Sequence, residues 1–311
     1  MDSWWLYRGT GIPLDPAERD RRWPAPPPWR AGRGGPDEPP VPPRDERTVS
    51  VLGELGTPRT PDPEETARVG TALRLRRPLL VGGAPGTGKS ALAHRVAREL
   101  GLGAVLRWPV TGATTLGEGL YRVSGRGTVR LGPLGTALLP RRLPRVVLLD
   151  DLDRGGFDLP DEVLAVLDDG EFTIPELLGP DSSPVHTWDP GTRATVRSGL
   201  VRCHEPPFVV ITTGGERDLS PSFVRRCVRL ELPALTRERL AELGRTRFPA
   251  VPAEVLEAFL DRAEREPGPA DRLLDALHLA NTGALDAIRE GEQEASAALD
   301  TVWRWAALEG P

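Results

Sequence analysis

The sequence predicts an α/β fold in which helices cover both faces of a parallel sheet and a small all-helical domain follows. Short apolar runs alternate with amphipathic helical segments, a glycine-rich loop joins one run to a helix, and only helical patterns follow Pro233. Strands that alternate with helices form parallel sheets that are covered on both faces. We therefore expect a Pro-rich N-terminal segment (1–58), an α/β core (59–233) and a helical lid domain (234–311).

Five short apolar runs, most of them bordered by polar or Gly/Pro-rich residues, are the predicted strands. They are residues 79–81, 104–106, 146–149, 208–211 and Val228–Leu232. The predicted helices are Pro63–Leu75 and 90–100 in the core, and 237–243, Ala253–Arg265, 270–279 and about 292–308 in the lid. Two Gly/Pro/Thr-rich stretches, 121–136 and 180–201, are expected to form hairpin insertions.

The composition argues against several classes of protein. Net charge is −5, with 45 acidic and 40 basic residues mixed along the chain, so a dedicated nucleic-acid binder is not expected. Two cysteines are too few for a disulfide framework. No apolar run reaches the roughly 18 residues that cross a bilayer. We therefore expect a cytoplasmic protein without a membrane segment.

The N-terminal residues combine aromatic and proline-rich sequence. Residues 13–45 are dense in proline, which predicts extended polyproline or disordered chain rather than regular helix. The aromatic start around Trp4 and Tyr7 is expected to dock either on the protein's own body or on a partner.

The strongest motif is a glycine-rich loop between the first predicted strand and the helix after it. Residues 83–90 read GAPGTGKS and satisfy the pattern G-x-x-x-x-G-K-[ST], which binds ATP. The loop N–H groups and the helix N-terminus bind the β-phosphate, the lysine bridges the β- and γ-phosphates, and the serine ligates Mg²⁺. The expected nucleotide-binding residues are Gly83, Ala84, Pro85, Gly86, Thr87, Gly88, Lys89, Ser90 and Ala91.

The use of lysine supports this interpretation. Of the 40 Lys and Arg residues only Lys89 is a lysine, so every other basic residue is arginine. A compact ammonium fits between phosphate oxygens inside a tight loop, where the broader guanidinium would not. Retention of lysine at this one position is therefore expected if it contacts phosphate.

An acidic pair follows the third predicted strand. Asp150 and Asp151 come directly after its apolar residues, at the edge where ligands bind in such sheets. Asp150 is the expected Mg²⁺ ligand together with Ser90, and Asp151 is the expected general base for the attacking water. Because Asp151 is one methylene shorter than the glutamate often found there, slow hydrolysis with intact binding is expected.

Together these motifs resemble those of the AAA+ ATPases and, among them, the MoxR-like branch. The similarity covers roughly residues 60–280 and is carried by residues 83–90, 149–153, 159–175 and 214–227. Residues 132–139 and 4–11 are similar to MoxR-type ATPases encoded beside von Willebrand factor A domain partners in bacteria. The resemblance implies a ring, usually a hexamer, that uses ATP to remodel or activate a protein partner, with a von Willebrand factor A domain protein as the candidate.

The resemblance also implies roles for residues beyond the phosphate loop. Arg225 and Arg226 match the arginine-finger region, so one or both would reach the γ-phosphate bound by a neighbouring subunit. Gly214 aligns where the family carries a polar asparagine as its first sensor, so either Thr213 substitutes for it or the first sensor is missing. Arg272 is the candidate for the second sensor, a cation on the lid that contacts the nucleotide.

Two other functions are kept as alternatives. Asp151 and Gly214 favour a nucleotide-gated binding module, a switch that holds ATP and hydrolyses it negligibly. A P-loop nucleotide kinase agrees less well with the sequence, because the chain ends in lid-like helices and lacks an evident acceptor-base site.

Overall fold

The computed structural model describes residues 4–36, 46–54, 58–125, 127–179, 181–266, 268–282 and 295–306. The contacts between residues divide the chain into two compact units. One contains the chain up to Gly82 together with Lys89–Glu231, and the other contains Gly83–Gly88 and the chain from Leu232 onward.

Strands and helices alternate through the first unit, and helices alone follow in the second. The strands are β1 (Leu79–Gly83), β2 (Leu106–Pro109), β3 (Tyr121–Val123), β4 (Val129–Leu131), β5 (Val146–Asp150), β6 (Glu171–Thr173), β7 (Ser182–His186), β8 (Arg193–Arg197), β9 (Leu200–Arg202), β10 (Phe208–Thr212) and β11 (Val228–Leu232). The helices are α1 (Pro16–Arg22), α2 (Glu46–Leu52), α3 (Pro63–Leu75), α4 (Lys89–Leu100), α5 (Leu116–Leu120), α6 (Pro133–Ala137), α7 (Leu159–Asp169), α8 (Pro221–Arg226), α9 (Arg237–Arg247), α10 (Ala253–Arg265), α11 (Ala270–Asn281) and α12 (Ala295–Ala306).

The central sheet has five strands in the order β11-β1-β10-β5-β2. The pairs β1–β10, β10–β5 and β5–β2 are parallel, and α4 and α6 pack against the sheet. Strands β5 and β10 are buried along their whole length, which is typical of a parallel sheet covered on both faces. The predicted α/β fold, with a helical C-terminal region, is confirmed.

The prediction for the second strand was wrong in its position. β2 runs over Leu106–Pro109 rather than 104–106, and it pairs in parallel with β5. The pattern ended the strand before Arg107 because a charged residue interrupts an apolar run. In the structure the Arg107 guanidinium forms an ion pair with Asp150, so the charge does not prevent the strand from continuing.

A second sheet has six strands in the order β3-β4-β7-β8-β9-β6. β3 and β4 form one antiparallel pair, and β7 and β8 form another. Hairpins are thus confirmed within both predicted insertions, 121–136 and 180–201, although α6 takes the last residues of the first one.

The N-terminal segment contains a helix that the sequence analysis did not predict. α1 begins at Pro16, and Asp15 caps it by accepting a hydrogen bond from the Glu18 N–H at 2.8 Å. Proline is tolerated at the first helical position because its missing N–H would have no intrahelical partner there. The expectation of no regular helix in 13–45 was therefore wrong for this stretch, and residues 37–45 lie outside the described residues.

The aromatic start of the chain docks on the protein's own body. Tyr7 is fully buried, and its hydroxyl donates a hydrogen bond to Glu65 Oε1 at 2.7 Å. Trp5 packs so closely on α3 that a Cβ added at Gly70 would lie 2.2 Å from its ring. Of the two docking modes left open by the sequence, the structure shows the intramolecular one, although Trp4 remains 62% exposed.

Residues 4–22, here called the N-terminal strap, are bound to the last turn of α4 through Glu99. This fully buried carboxylate accepts hydrogen bonds from the backbone N–H groups of Gly9 at 3.2 Å, of Gly11 at 2.9 Å and of Arg8. Gly9 and Gly11 have φ of +74° and +73°. Left-handed backbone at these two residues lets successive N–H groups converge on one carboxylate, which explains why glycine stands at both.

Helix α1 of the strap contacts the same end of α4. The Arg19 guanidinium donates hydrogen bonds to the carbonyl oxygens of Leu100 and Gly101, each at 3.2 Å. The last carbonyls of a helix have no donor within the helix itself. The strap therefore supplies partners for the C-terminal end of the helix that begins at Lys89.

Glu65 on α3 is the centre of a buried ion-pair network. Its carboxylate accepts hydrogen bonds from Arg59 at 2.7 Å, Arg95 at 3.0 Å and the Tyr7 hydroxyl at 2.7 Å. Burial alone would raise its pKa, but these partners lower the pKa of Glu65 from 4.5 to about 2. Because the folded state has the lower pKa, the network contributes stability above pH 4.5 that is lost as the pH falls toward about 2.

Glu65→Gln is expected to lower the free energy of unfolding by about 3 kcal/mol near neutral pH, because two partly buried arginines lose their buried carboxylate partner. Urea unfolding at a series of pH values measures this, and the decline in stability below pH 4.5 should be smaller in the variant than in the wild type, because the contribution of Glu65 is lost. Tyr7→Phe is the control, since it removes one hydrogen bond worth about 1 kcal/mol and no charge. An unchanged acid dependence in the glutamine variant would contradict this role of Glu65.

The second unit is helical from α9 onward. α9, α10, α11 and α12 pack around a core that includes Phe259, Leu273, Leu277 and Trp303. The helices predicted in this region are confirmed, with α10 as predicted, and the ends of the predicted 292–308 helix beyond Ala295–Ala306 lie outside the described residues. Among the described helices, none combines the length and apolar character needed to cross a membrane.

Candidate nucleotide-binding site

The predicted phosphate loop joins β1 to α4. Gly83, Gly86 and Gly88 have φ of 133°, 77° and 89°, values that residues with a side chain rarely adopt. The course of the loop therefore depends on glycine at these three places. Because α4 begins at Lys89, the residues from Lys89 to Ala91 form its first turn, where backbone N–H groups have no intrahelical acceptor and can bind an anion.

Asp150 ends β5 and is almost fully buried. Its Oδ1 accepts hydrogen bonds from the hydroxyls of Ser90 at 2.6 Å and Thr212 at 3.1 Å. Its Oδ2 accepts two from Arg107, at 2.9 Å from Nε and 2.6 Å from Nη2. Burial would raise the pKa of Asp150, but the bonds from Ser90, Arg107 and Thr212 and the Arg107 charge lower it below its ordinary value. The carboxylate is therefore ionised at neutral pH.

The residues present fit a magnesium ion. Since the Ser90 hydroxyl donates a hydrogen bond to Asp150, the lone pairs of its oxygen remain available to a cation. Mg²⁺ takes oxygen ligands, usually one or two from the protein beside water and substrate phosphates. The structure thus brings together the two residues predicted to hold the metal, Ser90 and Asp150.

Two members of this cluster were not predicted. Thr212 is fully buried at the end of β10, and besides its bond to Asp150 it accepts one from the Asp151 N–H at 2.9 Å. A polar residue that ends a buried apolar strand was the available signal for Thr212. Arg107 was missed because the predicted strand ended one residue before it.

Asp151, the predicted general base, follows the predicted metal ligand Asp150 and has a left-handed backbone, at φ 60° and ψ 55°. Such conformations are uncommon outside glycine, although aspartate tolerates them better than most residues. The side chain is 39% exposed, and its Oδ2 lies 3.8 Å from Nη1 of Arg154. The structure therefore places an accessible carboxylate directly after Asp150.

The loop after β10, where the first sensor was predicted, is bound to Asp153. The N–H groups of Gly214 and Glu216 donate to Asp153 Oδ2 at 3.1 and 2.9 Å. Burial would raise the pKa of Asp153, but these backbone bonds and one from the Thr213 side chain lower it. Gly214 contributes no side chain here, so Thr213 is the polar side chain available in the first-sensor position, and its hydroxyl is bound to Asp153.

The two predicted arginine-finger residues end α8, and both are exposed. Arg226 Nη1 is bound to Asp168 Oδ2 of the same chain at 2.9 Å. The backbone carbonyl of Arg225 accepts a hydrogen bond from Arg77 at 3.0 Å. Within the described part of the chain, no hydrogen bond or ion pair of the Arg225 guanidinium is found. Of the two side chains, Arg226 is therefore already bound within the chain, and Arg225 is not bound among the described residues.

Arg272, the predicted second sensor, lies on α11 in the second unit. It lines a cavity of about 140 Å³ together with the loop residues Ala84, Pro85, Gly86 and Thr87. Its Nη2 is bound to Glu266 Oε2 at 2.8 Å, and its guanidinium carbon lies 4.4 Å from the centre of a Trp303 ring. Trp303 Nε1 donates to the same carboxylate oxygen at 2.9 Å. This places a cation beside the phosphate loop, with its guanidinium bound to Glu266.

Part of the chain matches a known protein family. Residues 78–227 match the family described as AAA domain (dynein-related subfamily). This stretch contains every residue predicted for phosphate binding, metal binding and catalysis, whereas Arg272 lies beyond it.

Several solved structures are distantly similar to this chain. A mutant of RuvB from Thermotoga maritima has a TM-score of 0.46 and 15% identity, covering 85% of this chain and 69% of that chain. The FIGL-1 AAA domain in complex with ADP has 0.44 and 15%, covering 75% and 72%. NtrX from Brucella abortus in complex with ADP has 0.36 and 17%, covering 85% and 52%. No curated protein matches the chain significantly.

Proposed function

We propose that this protein binds Mg-ATP and hydrolyses it as a MoxR-like AAA+ ATPase that remodels or activates a protein partner. The observation that carries the proposal is the 2.6 Å hydrogen bond from Ser90 to the ionised Asp150. Ser90 follows a loop in which three glycines have positive φ, and such a backbone can point successive N–H groups at a phosphate. When bound, Mg²⁺ neutralises charge that develops on the phosphates.

The chain's own residues supply the remaining chemistry. The loop N–H groups and Lys89 hold the phosphates. Asp151 orients the attacking water and accepts its proton, and Thr213 takes the place of the first sensor. Arg272 contacts the nucleotide from the lid once it exchanges its bond with Glu266 for one with phosphate.

The proposed enzyme is a homo-oligomeric ring in which each site is completed by a neighbouring subunit. The exposed Arg225 supports this, because its guanidinium has no partner among the described residues, whereas Arg226 is bound to Asp168. We therefore assign the finger to Arg225. The division into 1–58, 59–233 and 234–311 is part of the proposal.

The proposed partner is a protein, with a von Willebrand factor A domain protein as the candidate. Nucleic acid and membrane partners are not part of the proposal, because acidic and basic residues are mixed along the chain and the net charge is −5. The proposed location is the cytoplasm.

The first experiment is ATP turnover measured against protein concentration. Turnover per subunit is expected to rise with concentration, because a site completed by a neighbour works only after assembly. Constant turnover per subunit across the full range would contradict shared sites.

Asp151→Glu is expected to raise turnover by about threefold to tenfold, because the longer side chain brings the general base closer to the attacking water. Phosphate release under saturating Mg-ATP measures this. Asp161→Glu is the matched control, since Asp161 is an exposed acid on α7 that is not among the hydrogen-bond partners of Asp150. Lower turnover in Asp151→Glu would argue against Asp151 as the base.

The second candidate function is a nucleotide switch with negligible hydrolysis. It is favoured by the absence of a side chain at Gly214 and by the short Asp151 carboxylate. The same assay separates the two functions. If the protein binds ATP but shows no Lys89-dependent turnover at any concentration, the switch replaces the ATPase.

A further inference from the structure

Arg107 and Asp150 form an ion pair that the proposed nucleotide site does not require. Arg107 lies on β2, and its Nε and Nη2 both donate to Asp150 Oδ2, at 2.9 and 2.6 Å. The side chains are 34% and 10% exposed, so the pair is partly shielded from water. Bonds between a guanidinium and a carboxylate are among the stronger hydrogen bonds in proteins.

Arg107 has two opposing effects on a divalent cation at Asp150. It helps to orient the carboxylate, and it places a like charge beside the cation, which weakens binding. Ser90 and Thr212 both bond to Oδ1, so much of the orientation persists without Arg107. The electrostatic effect should therefore be the larger one.

We infer that Arg107 neutralises the charge of Asp150 in the nucleotide-free protein, so that a divalent cation binds together with nucleotide phosphates rather than alone. Phosphates bring several negative charges, and these outweigh the single positive charge of the arginine. The inference rests on the proposed function for the nucleotide, but its effect on the metal is measurable without one.

The test uses Mn²⁺ as the probe and the full chain without nucleotide. Electron paramagnetic resonance reports the concentration of free Mn²⁺ and hence the affinity. Arg107→Gln and Arg107→Met are each expected to bind Mn²⁺ about tenfold tighter than the wild type, because a positive charge is removed. Arg107→Lys keeps the charge and should stay within about twofold of the wild type.

Two controls separate charge from orientation. Thr212→Val removes a hydrogen bond to the same carboxylate without changing any charge, so its Mn²⁺ affinity should not rise. Adding Asp150→Asn to Arg107→Gln should abolish the gain, because the carboxylate that binds the metal is lost.

An Mn²⁺ affinity in both neutral variants that equals or falls below that of the wild type would overturn the inference. A gain that survives Asp150→Asn would also overturn it, since the metal would then lie elsewhere. Binding of a fluorescent ADP derivative is measured in parallel. If the wild type binds no ADP, the proposed function fails, while the metal comparison still decides the role of Arg107.

Discussion

Lys89→Ala is expected to lower ATP turnover by about 10²–10³-fold, because the ammonium stabilises charge on the β- and γ-phosphates as the bond to the γ-phosphate breaks. Lys89→Arg should restore little, since the broader guanidinium does not fit between phosphate oxygens in a tight loop. Phosphate release under saturating Mg-ATP measures both variants.

The lysine content of the chain offers an independent control for this prediction. Lys89 is the only lysine, so an amine-specific reagent has one side-chain target besides the α-amino group. ATP should protect Lys89 from modification, as mass spectrometry can show. Wild-type turnover in Lys89→Ala, or labelling of Lys89 that ATP does not slow, would contradict the phosphate contact.

Arg225→Ala is expected to lower turnover by about 10³-fold in the assembled protein, because a finger from the neighbouring subunit stabilises charge in the transition state. Arg226→Ala should have a much smaller effect, since that guanidinium is already bound to Asp168. Turnover is measured at a concentration where the wild-type value per subunit no longer rises. A larger loss in Arg226→Ala would reverse the assignment.

A mixing experiment tests whether Arg225 acts between subunits. Lys89→Ala and Arg225→Ala are each expected to be nearly inactive alone. In the proposed ring, mixed assemblies would contain some interfaces where an intact phosphate loop meets an intact Arg225, so activity should reappear on mixing. Activity that stays absent in mixtures shown to co-assemble would place Arg225 and Lys89 in the same site of one subunit.

Much of the central fold and part of the candidate site could be predicted because their signals are local in sequence. The strand β1, the glycine loop and α4 are consecutive, so their apolar pattern and glycine spacing stand side by side. The pairing of Ser90 with Asp150 followed from the edge at which parallel strands end. Their predicted roles in nucleotide chemistry remain predictions.

The residues that were missed depend on contacts between distant parts of the chain. Thr212 and Arg107 reach Asp150 only because β10 and β2 flank β5 in the sheet. Neither adjacency is visible in a single run of sequence. Helix α1 was missed for a different reason, because the proline-rich composition around it outweighed the local capping signal of Asp15.

The strap is bound to the C-terminal end of α4, and Lys89 begins the same helix at its other end. α4 has 12 residues, so about 16 Å separates Lys89 from the end that the strap contacts through Glu99 and Arg19. A helix transmits a displacement along its axis with little loss. A tag or protein fused ahead of the strap would therefore act on α4, the helix that begins at Lys89. Turnover should accordingly be compared only between proteins with identical N-termini.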